Sequence, residues 1–305
     1  MSSIQVRPFR RSDRENVTAL VNAHVAAVVP GVSVSVNTAL SQVEHEPGEF
    51  IVDPWIAERK ALVAEQRSRV VAAAHLLRYG ADERVGPSYR GAGEIRWFLF
   101  WPDAPFWPDA SAAAEELMQA CLAELEEWKV SPRYADGALP APGVYGLPEQ
   151  WPHVLAVYER AGFAHEGRTE VVFIASLDEL PHPRQAPVAG LELRRSLGIN
   201  GTRFAAVLAD DVVGYIEVET QQAPGRFPEH GGLADIGNLW VEETHRRRGV
   251  GTWLVAAAGA WLRLAGVDRI LGYAWPEEEV GTAFLASVGF RELTRTRRGW
   301  VLTSG

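Results

Sequence analysis

Residues 239–262 read LWVEETHRRRGVGTWLVAAAGAWL and carry the strongest chemical signal of the chain. The apolar start predicts a strand that ends near Val241, and the Ala-rich part predicts a helix. Between them, Gly249 and Gly251 allow the backbone to turn so that successive N–H groups point at one spot. The start of the helix adds unpaired N–H groups and the positive end of its dipole. The loop therefore predicts a site for a phosphate or a diphosphate.

Polar side chains surround this turn. Arg246, Arg247 and Arg248 would screen the charge of a bound phosphate, and Thr252 would cap the helix or touch the anion. By itself, the hexapeptide 246–251 also suits a solvated basic turn before an amphipathic helix. A dinucleotide-binding fold is not expected, because the spacing Gly-x-Gly-x-x-Gly is absent and hairpins precede the loop.

The elements around this loop occur twice along the chain. Residues 60–77, KALVAEQRSRVVAAAHLL, and residues 203–220, RFAAVLADDVVGYIEVET, each predict a hairpin. Each hairpin is followed by a strand with an acidic residue, Glu94 or Asp235, and then by an Ala-rich helix. A second helix that ends in Gly-Phe and a closing apolar strand complete both copies. The sequence therefore predicts an internal duplication.

A Pro-rich segment, residues 180–190, separates the two copies and predicts a stiff linker. We therefore predict an N-terminal domain at residues 1–180 and a C-terminal domain at residues 188–305. In the first copy, about 50 residues separate the opening strand from the hairpin, which leaves room for one or two helices. In the second copy, residues 191–197 lead almost directly into the hairpin. The second copy is therefore expected to lack the opening helices.

Composition narrows the class of protein. The chain has 305 residues, of which 47% are hydrophobic, so it can form two packed cores and is too apolar to be disordered. The net charge of −9 argues against nucleic acid as a partner. The single cysteine excludes a disulfide framework, and no cluster has metal-ligand spacing, so we expect no metal. Without a signal peptide or a long apolar stretch, we expect a cytoplasmic protein that does not insert into a membrane.

The loop and its surroundings resemble the GNAT acyltransferases. The hallmark of that family is Gln/Arg-x-x-Gly-x-Gly/Ala, which opens a helix after the fourth strand, and residues 246–251 match it fully. The resemblance covers nearly the whole chain as a tandem pair, with the second copy far better matched. It implies an α+β fold with two tandem domains, each a mixed, mostly antiparallel sheet flanked by helices.

The resemblance also implies which residues bind acetyl-CoA. The diphosphate of acetyl-CoA would be held by Arg246, Arg247, Arg248, Gly249, Val250, Gly251 and Thr252. The backbone of Val241 falls where family members hold the cofactor. Many members splay this strand from its neighbour, and the N–H groups of Leu239, Trp240 and Val241 would then meet the oxyanion that develops during acyl transfer.

Acyl transfer to an amine needs a base, because an alkyl ammonium has a pKa of about 10. By resemblance to the histone-acetylating branch of the family, Asp235 is the first candidate for this base. Glu217 and Glu219 share one face of the neighbouring strand, since side chains two residues apart point the same way. They remain alternative bases or binders of a cationic substrate.

The acid that protonates the departing thiolate is less evident. The family often places a tyrosine four residues before the glycine that ends the second helix. In the second copy this position is Leu285, whereas the first copy has Tyr158. Tyr273 and Ser287 are the remaining candidates in the second copy.

The first copy lacks the features of the loop. The offset that relates Asp235 to Glu94 places the loop glycines on Pro108 and Ala110. Proline has no N–H group to donate, and Asp109 would repel a phosphate. We expect the first copy to have lost diphosphate binding and to be structural or part of the acceptor pocket.

The sequence thus predicts an acetyl-CoA-dependent N-acetyltransferase that acts on a small-molecule amine by direct transfer from the thioester. Its active site is expected in the C-terminal domain, near the cleft between the domains. An amino sugar, a polyamine or a peptide amine would suit the acidic surface. The alternative is a non-catalytic acyl-CoA-binding sensor or accessory protein, which Leu285 and the degenerate first copy favour. The sequence leaves the oligomeric state and the acyl chain length open.

Overall fold

The computed structural model of the protein describes residues 4–41, 43, 55–102, 110–182, 184–221 and 232–302. Contacts within the chain divide it into two compact units. Unit 1 comprises the chain as far as Thr169 together with the segment from Arg295 onward, and unit 2 comprises Glu170–Thr294.

The helices and strands occur in the predicted order. The first eleven are β1 (Gln5–Pro8), α1 (Arg14–Val28), α2 (Val36–Ser41), β2 (Ile56–Gln66), β3 (Arg69–Tyr79), β4 (Gly93–Phe100), α3 (Ala110–Glu127), β5 (Arg133–Ala135), β6 (Leu147–Pro148), α4 (Pro152–Arg160) and β7 (Phe163–His165). The remaining ten are β8 (Thr169–Ser176), β9 (Leu191–Gly198), β10 (Gly201–Leu208), β11 (Asp211–Gln221), β12 (Gly232–Val241), α5 (Val250–Leu264), β13 (Val267–Ala274), α6 (Glu279–Ser287), β14 (Arg291–Arg297) and β15 (Trp300–Leu302).

The sheet of unit 1 has the order β1-β2-β3-β4-β5-β15-β7. Its pairs are antiparallel except for β4 and β5, which run parallel. Helices α1 and α3 pack against β3 and β4. Trp97, Trp151 and Trp300 are fully buried in this unit, where large rings fill the core.

The second sheet has the order β6-β14-β8-β13-β12-β11-β10-β9, and all its strands except β6 lie wholly or mostly in unit 2. Along this order from β8 to β9, the pair β13–β12 is parallel and the other four pairs are antiparallel. Helix α5 buries Val250, Leu254, Ala258 and Leu262, spaced four residues apart, against one face of this sheet. The predicted α+β class, with two mixed sheets flanked by helices, is confirmed.

Matching irregularities in the two sheets support the predicted duplication. In the first hairpin the register shift leaves Val71 as an extra residue, and in the second hairpin Val213 has this role. The next pair of strands carries a bulge at Arg96 in unit 1 and at Gly237 in unit 2. Because a bulge changes the local direction of a strand, the shared positions indicate one strand framework used twice.

The two units differ in the connection between their first and second strands. In unit 1, α1 and α2 lie between β1 and β2. In unit 2, β9 joins β10 directly through Ile199 and Asn200, with Gly198 paired to Gly201. The second copy therefore lacks opening helices, as the sequence indicates.

The predicted domain boundary is corrected by two strands. Strand β8 precedes the Pro-rich segment 180–190 but pairs with β13, for example Ala175 with Ile270. Strand β15, at the other end of the chain, pairs with β5 and β7 in unit 1. The domain predicted at 1–180 therefore contains β6 and β8 of the second sheet, and the domain predicted at 188–305 contains β15 of the first sheet. Strands β8 and β15 both have apolar centres, so their pattern does not reveal which sheet receives them.

This exchange predicts the behaviour of fragments. Residues 188–305 lack β8, whose Val171, Phe173 and Ala175 belong to the core of unit 2, and an internal gap would open beside β13. We expect this fragment to be insoluble, and residues 168–297 to be soluble and to unfold cooperatively in urea. Cooperative unfolding of the 188–305 fragment would contradict the exchange.

Candidate active site

The loop after β12 has a backbone conformation suited to an anion. It begins with a short turn at Glu243–His245 and ends at Gly249, which is the N-cap of α5. Gly249 has φ +84° and Arg247 has φ +59°, so two residues of the loop are left-handed. Such a conformation costs a residue with a side chain about 1–2 kcal/mol and is typical of turns that direct N–H groups to one point.

The N–H groups of this loop are available to a ligand. In the described part of the chain, the first hydrogen bond after the loop is donated by the N–H of Trp253 to Gly249 O, at 3.0 Å. No hydrogen bond from the N–H groups of residues 247–252 is found there. These groups include the orphan donors at the start of a helix, where the dipole attracts negative charge. The predicted loop is thus present as a row of donors.

The side chains of the loop leave this row open. Arg246 Nε donates to Val241 O at 3.0 Å, which ties the loop to the end of β12. Arg247 and Arg248 are exposed and form no ion pair with a described residue. At Gly251 a Cβ atom would lie 3.1 Å from the ring of Phe284, so the close packing of α5 and α6 favours glycine.

Strands β12 and β13 diverge at the predicted base. They pair as far as Asp235 and Leu271. Beyond this pair, β12 continues to Val241 beside β11, and β13 continues to Ala274 beside β8. Among these described strands, no pairing joins β12 to β13 past Asp235. Residues 239–241 therefore lie on a strand edge that faces an opening, as the resemblance implies.

Asp235 lies at the point of divergence. Its side chain is buried, and the Tyr273 hydroxyl donates to its Oδ1 at 2.6 Å. Tyr273 comes from β13, two residues past the last pair with β12, so each of the diverging strands supplies one member of the pair. The sequence named both residues but did not predict this contact, because it depends on the register of two parallel strands.

Glu217 is engaged by its neighbours rather than directed at the opening. It is only 1% exposed and accepts hydrogen bonds from Arg203 Nε at 2.7 Å and from the N–H of Asn200 at 3.2 Å and of Ile199 at 3.3 Å. Burial opposes its charge, but these hydrogen bonds outweigh burial and lower the pKa of Glu217. The geometry favours Glu217 as a residue that fixes the β9–β10 turn over Glu217 as a base.

Glu219 and an aromatic pair lie on the same strand. Glu219 is exposed and stands directly opposite Asp235 across β11 and β12. Tyr215 stands opposite Trp240, with their ring centroids 5.8 Å apart, and Arg203 lies 4.5 Å from the Tyr215 ring centroid. This face of β11 and β12 thus combines a carboxylate pair with an aromatic pair. The sequence missed the aromatic pair, which the alternation of the two strands could have indicated.

The other candidates for an acid are unsuited. Leu285 is buried in the core of unit 2, and Ser287 Oγ donates to Phe284 O at 2.7 Å within its own helix. In unit 1, the Tyr158 hydroxyl donates to Asp136 O at 2.8 Å, and burial raises the pKa of Tyr158 well above its ordinary value. Tyr158 is a packing residue of the first core.

In unit 1, the strands that correspond to β12 and β13 are joined by further hydrogen bonds past the matching position. After β5, the N–H of Asp136 donates to Ile95 O at 2.9 Å and the N–H of Ala138 donates to Arg96 O at 3.2 Å. The segment that follows β5 therefore continues to pair with β4. Glu94 is buried and receives a hydrogen bond from Tyr79, and burial raises the pKa of Glu94.

The loop predicted to be degenerate in unit 1 can be traced only in part. Pro108 and Asp109 lie outside the described residues, and Ala110 is the buried first residue of α3. Loss of diphosphate binding in this unit therefore stays a prediction from the sequence.

Features of the described chain also bear on metal binding, cysteine chemistry and membrane insertion. Its histidine, cysteine and carboxylate side chains form no group of three or more that could hold a metal ion. Cys121 is buried, and burial raises its pKa. None of the described helices is long and apolar enough to span a bilayer.

Comparison with known families identifies a domain in the second half of the chain. Residues 172–290 match the sequence model of the Acetyltransferase (GNAT) family. These residues form a GNAT domain. The matched stretch includes the elements from β11 to α6. It therefore contains Asp235, the point where β12 and β13 diverge, and the loop at residues 247–252. A search of curated proteins found no match.

Solved structures share the fold of the whole chain. A tandem GNAT protein from the clavulanic acid biosynthesis pathway matches with a TM-score of 0.64 and 15% identity, over 99% of this chain and 100% of the other. A GCN5-related N-acetyltransferase from Sphaerobacter thermophilus matches with a TM-score of 0.62 and 15% identity, over 99% and 96%.

A fungal structure extends this likeness. It is described as a GCN5-related glucosamine N-acetyltransferase region of a multi-domain GH3 β-N-acetylglucosaminidase. It matches with a TM-score of 0.62 and 15% identity over 98% of this chain, which spans only 38% of the fungal chain. At such identities, the three similarities show a common fold but give no information about the substrate.

The environment of Glu217 predicts a pH-dependent contribution to stability. Because its pKa is lowered in the folded protein, its contribution is present above the ordinary value of 4.5 and is lost as the pH falls below it. We expect Glu217→Gln to lower the free energy of unfolding by about 1–2 kcal/mol at pH 7, and by less at pH 3.5. Urea unfolding at both pH values measures this difference.

Glu219→Gln is the matched control for this experiment. Glu219 lies on the same strand but is exposed, so its replacement is expected to change the free energy of unfolding by less than about 0.5 kcal/mol. An equal loss for Glu217→Gln at pH 7 and pH 3.5 would show that its charge does not stabilise the turn.

Proposed function

We propose that unit 2 is an acetyl-CoA-dependent N-acetyltransferase that acts on a small-molecule amine. The observation that carries this proposal is the row of N–H groups at residues 247–252, in the loop that follows the edge of β12. A diphosphate with an extended arm fits a row of donors beside a strand edge. The GNAT family match and the shared fold support the same conclusion.

The diphosphate of acetyl-CoA would lie on the loop. The N–H groups of residues 247–252 would donate to its oxygens, and Arg247 and Arg248 would balance its charge. From this loop the edge of β12 leads back to Asp235 over six residues, which is about 20 Å at ~3.3 Å per residue. The amide groups of the pantetheine arm would pair with this edge, as an added strand does.

Acetyl-CoA supplies an activated acetyl group as a thioester. Asp235 would take the proton of the ammonium group, so that the free amine attacks the thioester carbonyl. The N–H groups of Leu239 and Val241, which point away from β11, would stabilise the negative charge that develops on the carbonyl oxygen. Asp235 is preferred to Glu217 because Glu217 is already engaged by Arg203 and the β9–β10 turn.

The carboxylates of this face favour a cationic acceptor. Asp235 and Glu219 stand directly opposite each other, and like charges in this arrangement destabilise a sheet. An ammonium group between them would relieve this repulsion. Amino sugars, polyamines and peptide amines all carry such a group, and one structural neighbour is described as acting on glucosamine.

A non-catalytic acyl-CoA-binding sensor is the alternative function. The buried Leu285 favours it, because this position of α6 supplies no acid to the leaving thiolate. The features of unit 1 do not distinguish an acetyltransferase from a sensor, since a structural role for unit 1 is compatible with both functions. Turnover separates them directly.

A panel of amines tests the proposal. Glucosamine, spermidine and a peptide with a free N-terminus are incubated with acetyl-CoA, and release of the free thiol is monitored. We expect turnover with at least one amine, and a loss of kcat of about 10²–10⁴-fold in Asp235→Asn, because the base is removed. Calorimetry with coenzyme A is expected to give a Kd within about twofold of the wild-type value, since Asp235 lies away from the loop.

Glu219→Gln again provides the comparison. Its kcat is expected to stay within about fivefold of the wild-type value, because an exposed carboxylate that binds the acceptor contributes less than a base. Binding of coenzyme A without turnover on any amine would support the sensor. A larger loss in Glu219→Gln than in Asp235→Asn would make Glu219 the base.

A further inference from the structure

We propose that Tyr273 protonates the leaving thiolate and recovers its proton from Asp235. The proton removed from the amine would thus reach the sulfur through two side chains. This inference rests on the function proposed above, and it adds a second catalytic residue to Asp235. It also explains how the site works with a leucine at position 285.

The position of Tyr273 carries the argument. Its hydroxyl donates to Asp235 Oδ1 at 2.6 Å. Leu271 is the last residue of β13 to pair with β12, and Tyr273 lies two residues further on the same face, past the start of the divergence. The hydroxyl therefore lies beside the base and at the opening along which the thioester arm would run.

The hydroxyl groups of Ser287 and Tyr215 have contacts away from Asp235. Leu285 has no proton to give, and the hydroxyl of Ser287 donates to Phe284 O inside α6. Tyr215 accepts a hydrogen bond from Asn238 Nδ2 at 3.0 Å and stands four residues along β11 from Glu219, the residue opposite Asp235. Among these groups, only Tyr273 contacts Asp235.

The order of proton transfers is set by hydrogen-bond chemistry. An ionised carboxylate can only accept, so in the resting site the single hydroxyl hydrogen of Tyr273 is committed to Asp235. When Asp235 takes the proton of the amine, it becomes a donor and the hydrogen bond reverses. The hydroxyl hydrogen of Tyr273 is then directed to the sulfur.

The proton balance of the relay closes. The first proton of the ammonium group passes through Asp235 to solvent water before attack. The neutral amine then forms the C–N bond, and a second N–H bond breaks as an O–H bond forms on Asp235. As the C–S bond breaks, the O–H bond of Tyr273 breaks and the S–H bond forms. The proton on Asp235 then passes to Tyr273, which restores the carboxylate and the hydroxyl. The thiolate leaves as the neutral thiol, and no other reactant is needed.

Coupling to Asp235 removes an obstacle that an isolated tyrosine would face. An ordinary tyrosine has a pKa of about 10 and a thiol about 8.5, so proton transfer to the thiolate is unfavourable by about thirtyfold. When a protonated carboxyl group neutralises the tyrosinate at the same time, this penalty disappears. The pair is therefore a better acid than either side chain alone.

Unit 1 shows that the pair is not a general feature of the strand framework. The registers Asp235–Leu271 and Glu94–Tyr134 correspond, so Asp136 occupies the position of Tyr273. The hydroxyl that reaches Glu94 comes from Tyr79 on β3 instead. A tyrosine and a carboxylate that meet across diverging parallel strands therefore occur in unit 2 but not at the matching positions of unit 1.

Two acetyl donors test the relay. Tyr273→Phe is assayed with acetyl-CoA and with the selenium analogue of acetyl-CoA, using the amine that turns over fastest with the wild-type protein. A selenol is far more acidic than a thiol, so its anion leaves without a proton. We expect kcat to fall about 10- to 100-fold with acetyl-CoA and less than about threefold with the selenoester.

Binding and stability complete the experiment. Calorimetry with coenzyme A is expected to give the same Kd, within about twofold, for the wild-type protein and Tyr273→Phe. Tyr134→Phe, which removes a tyrosine hydroxyl from unit 1, is the matched control and keeps the wild-type kcat with both donors. If Tyr273→Phe is unstable, Tyr273→Leu is compared in the same way.

Each outcome decides between the relay and its rivals. An equal loss of kcat with both donors would mean that Tyr273 only positions Asp235, and a tenfold weaker Kd would make it a binding residue. Either result, or an unchanged kcat with acetyl-CoA, overturns the relay. If the wild-type protein turns over neither donor, the proposed function itself fails.

Discussion

The parting of β12 from β13 at Asp235 is the constraint on which the rest of the site depends. A strand inside a sheet normally satisfies its backbone groups on both sides, because each N–H and C=O group needs a partner. Past Asp235, β12 pairs with β11, and β13 no longer pairs with it. This edge is the feature that suits an extended ligand with amide groups, and it ends at the loop that suits a diphosphate.

The two units share one arrangement of strands but differ at the position next to the bulge. Both carry a bulge at the same place, Arg96 or Gly237. In unit 1 the segment that includes Asp136 and Ala138 donates hydrogen bonds to β4 at the position that corresponds to the proposed ligand site of unit 2. In unit 2 this position is open, and Tyr273 reaches Asp235 across it. The duplication therefore supplies one copy in which the chain itself pairs with this edge and one copy with the proposed site.

The sequence predicts the parts of this arrangement that are local. The duplication, the α+β class, the loop at 246–252 and the missing opening helices can all be inferred from short patterns. The exchange of β8 and β15 cannot, because either apolar strand suits either sheet. The partnership of Glu217 with the β9–β10 turn and the contact between Tyr273 and Asp235 also escape prediction, since they depend on registers between strands that are distant in the sequence.

Amide hydrogen exchange, measured by NMR with and without coenzyme A, tests the central claim most directly. If the loop and the edge of β12 hold the diphosphate and the arm, exchange slows at the N–H groups of residues 247–252 and of residues 239 and 241. These two stretches are expected to respond together and to the same concentration of coenzyme A. Unchanged exchange at both stretches, with slowing confined to unit 1, would contradict the account.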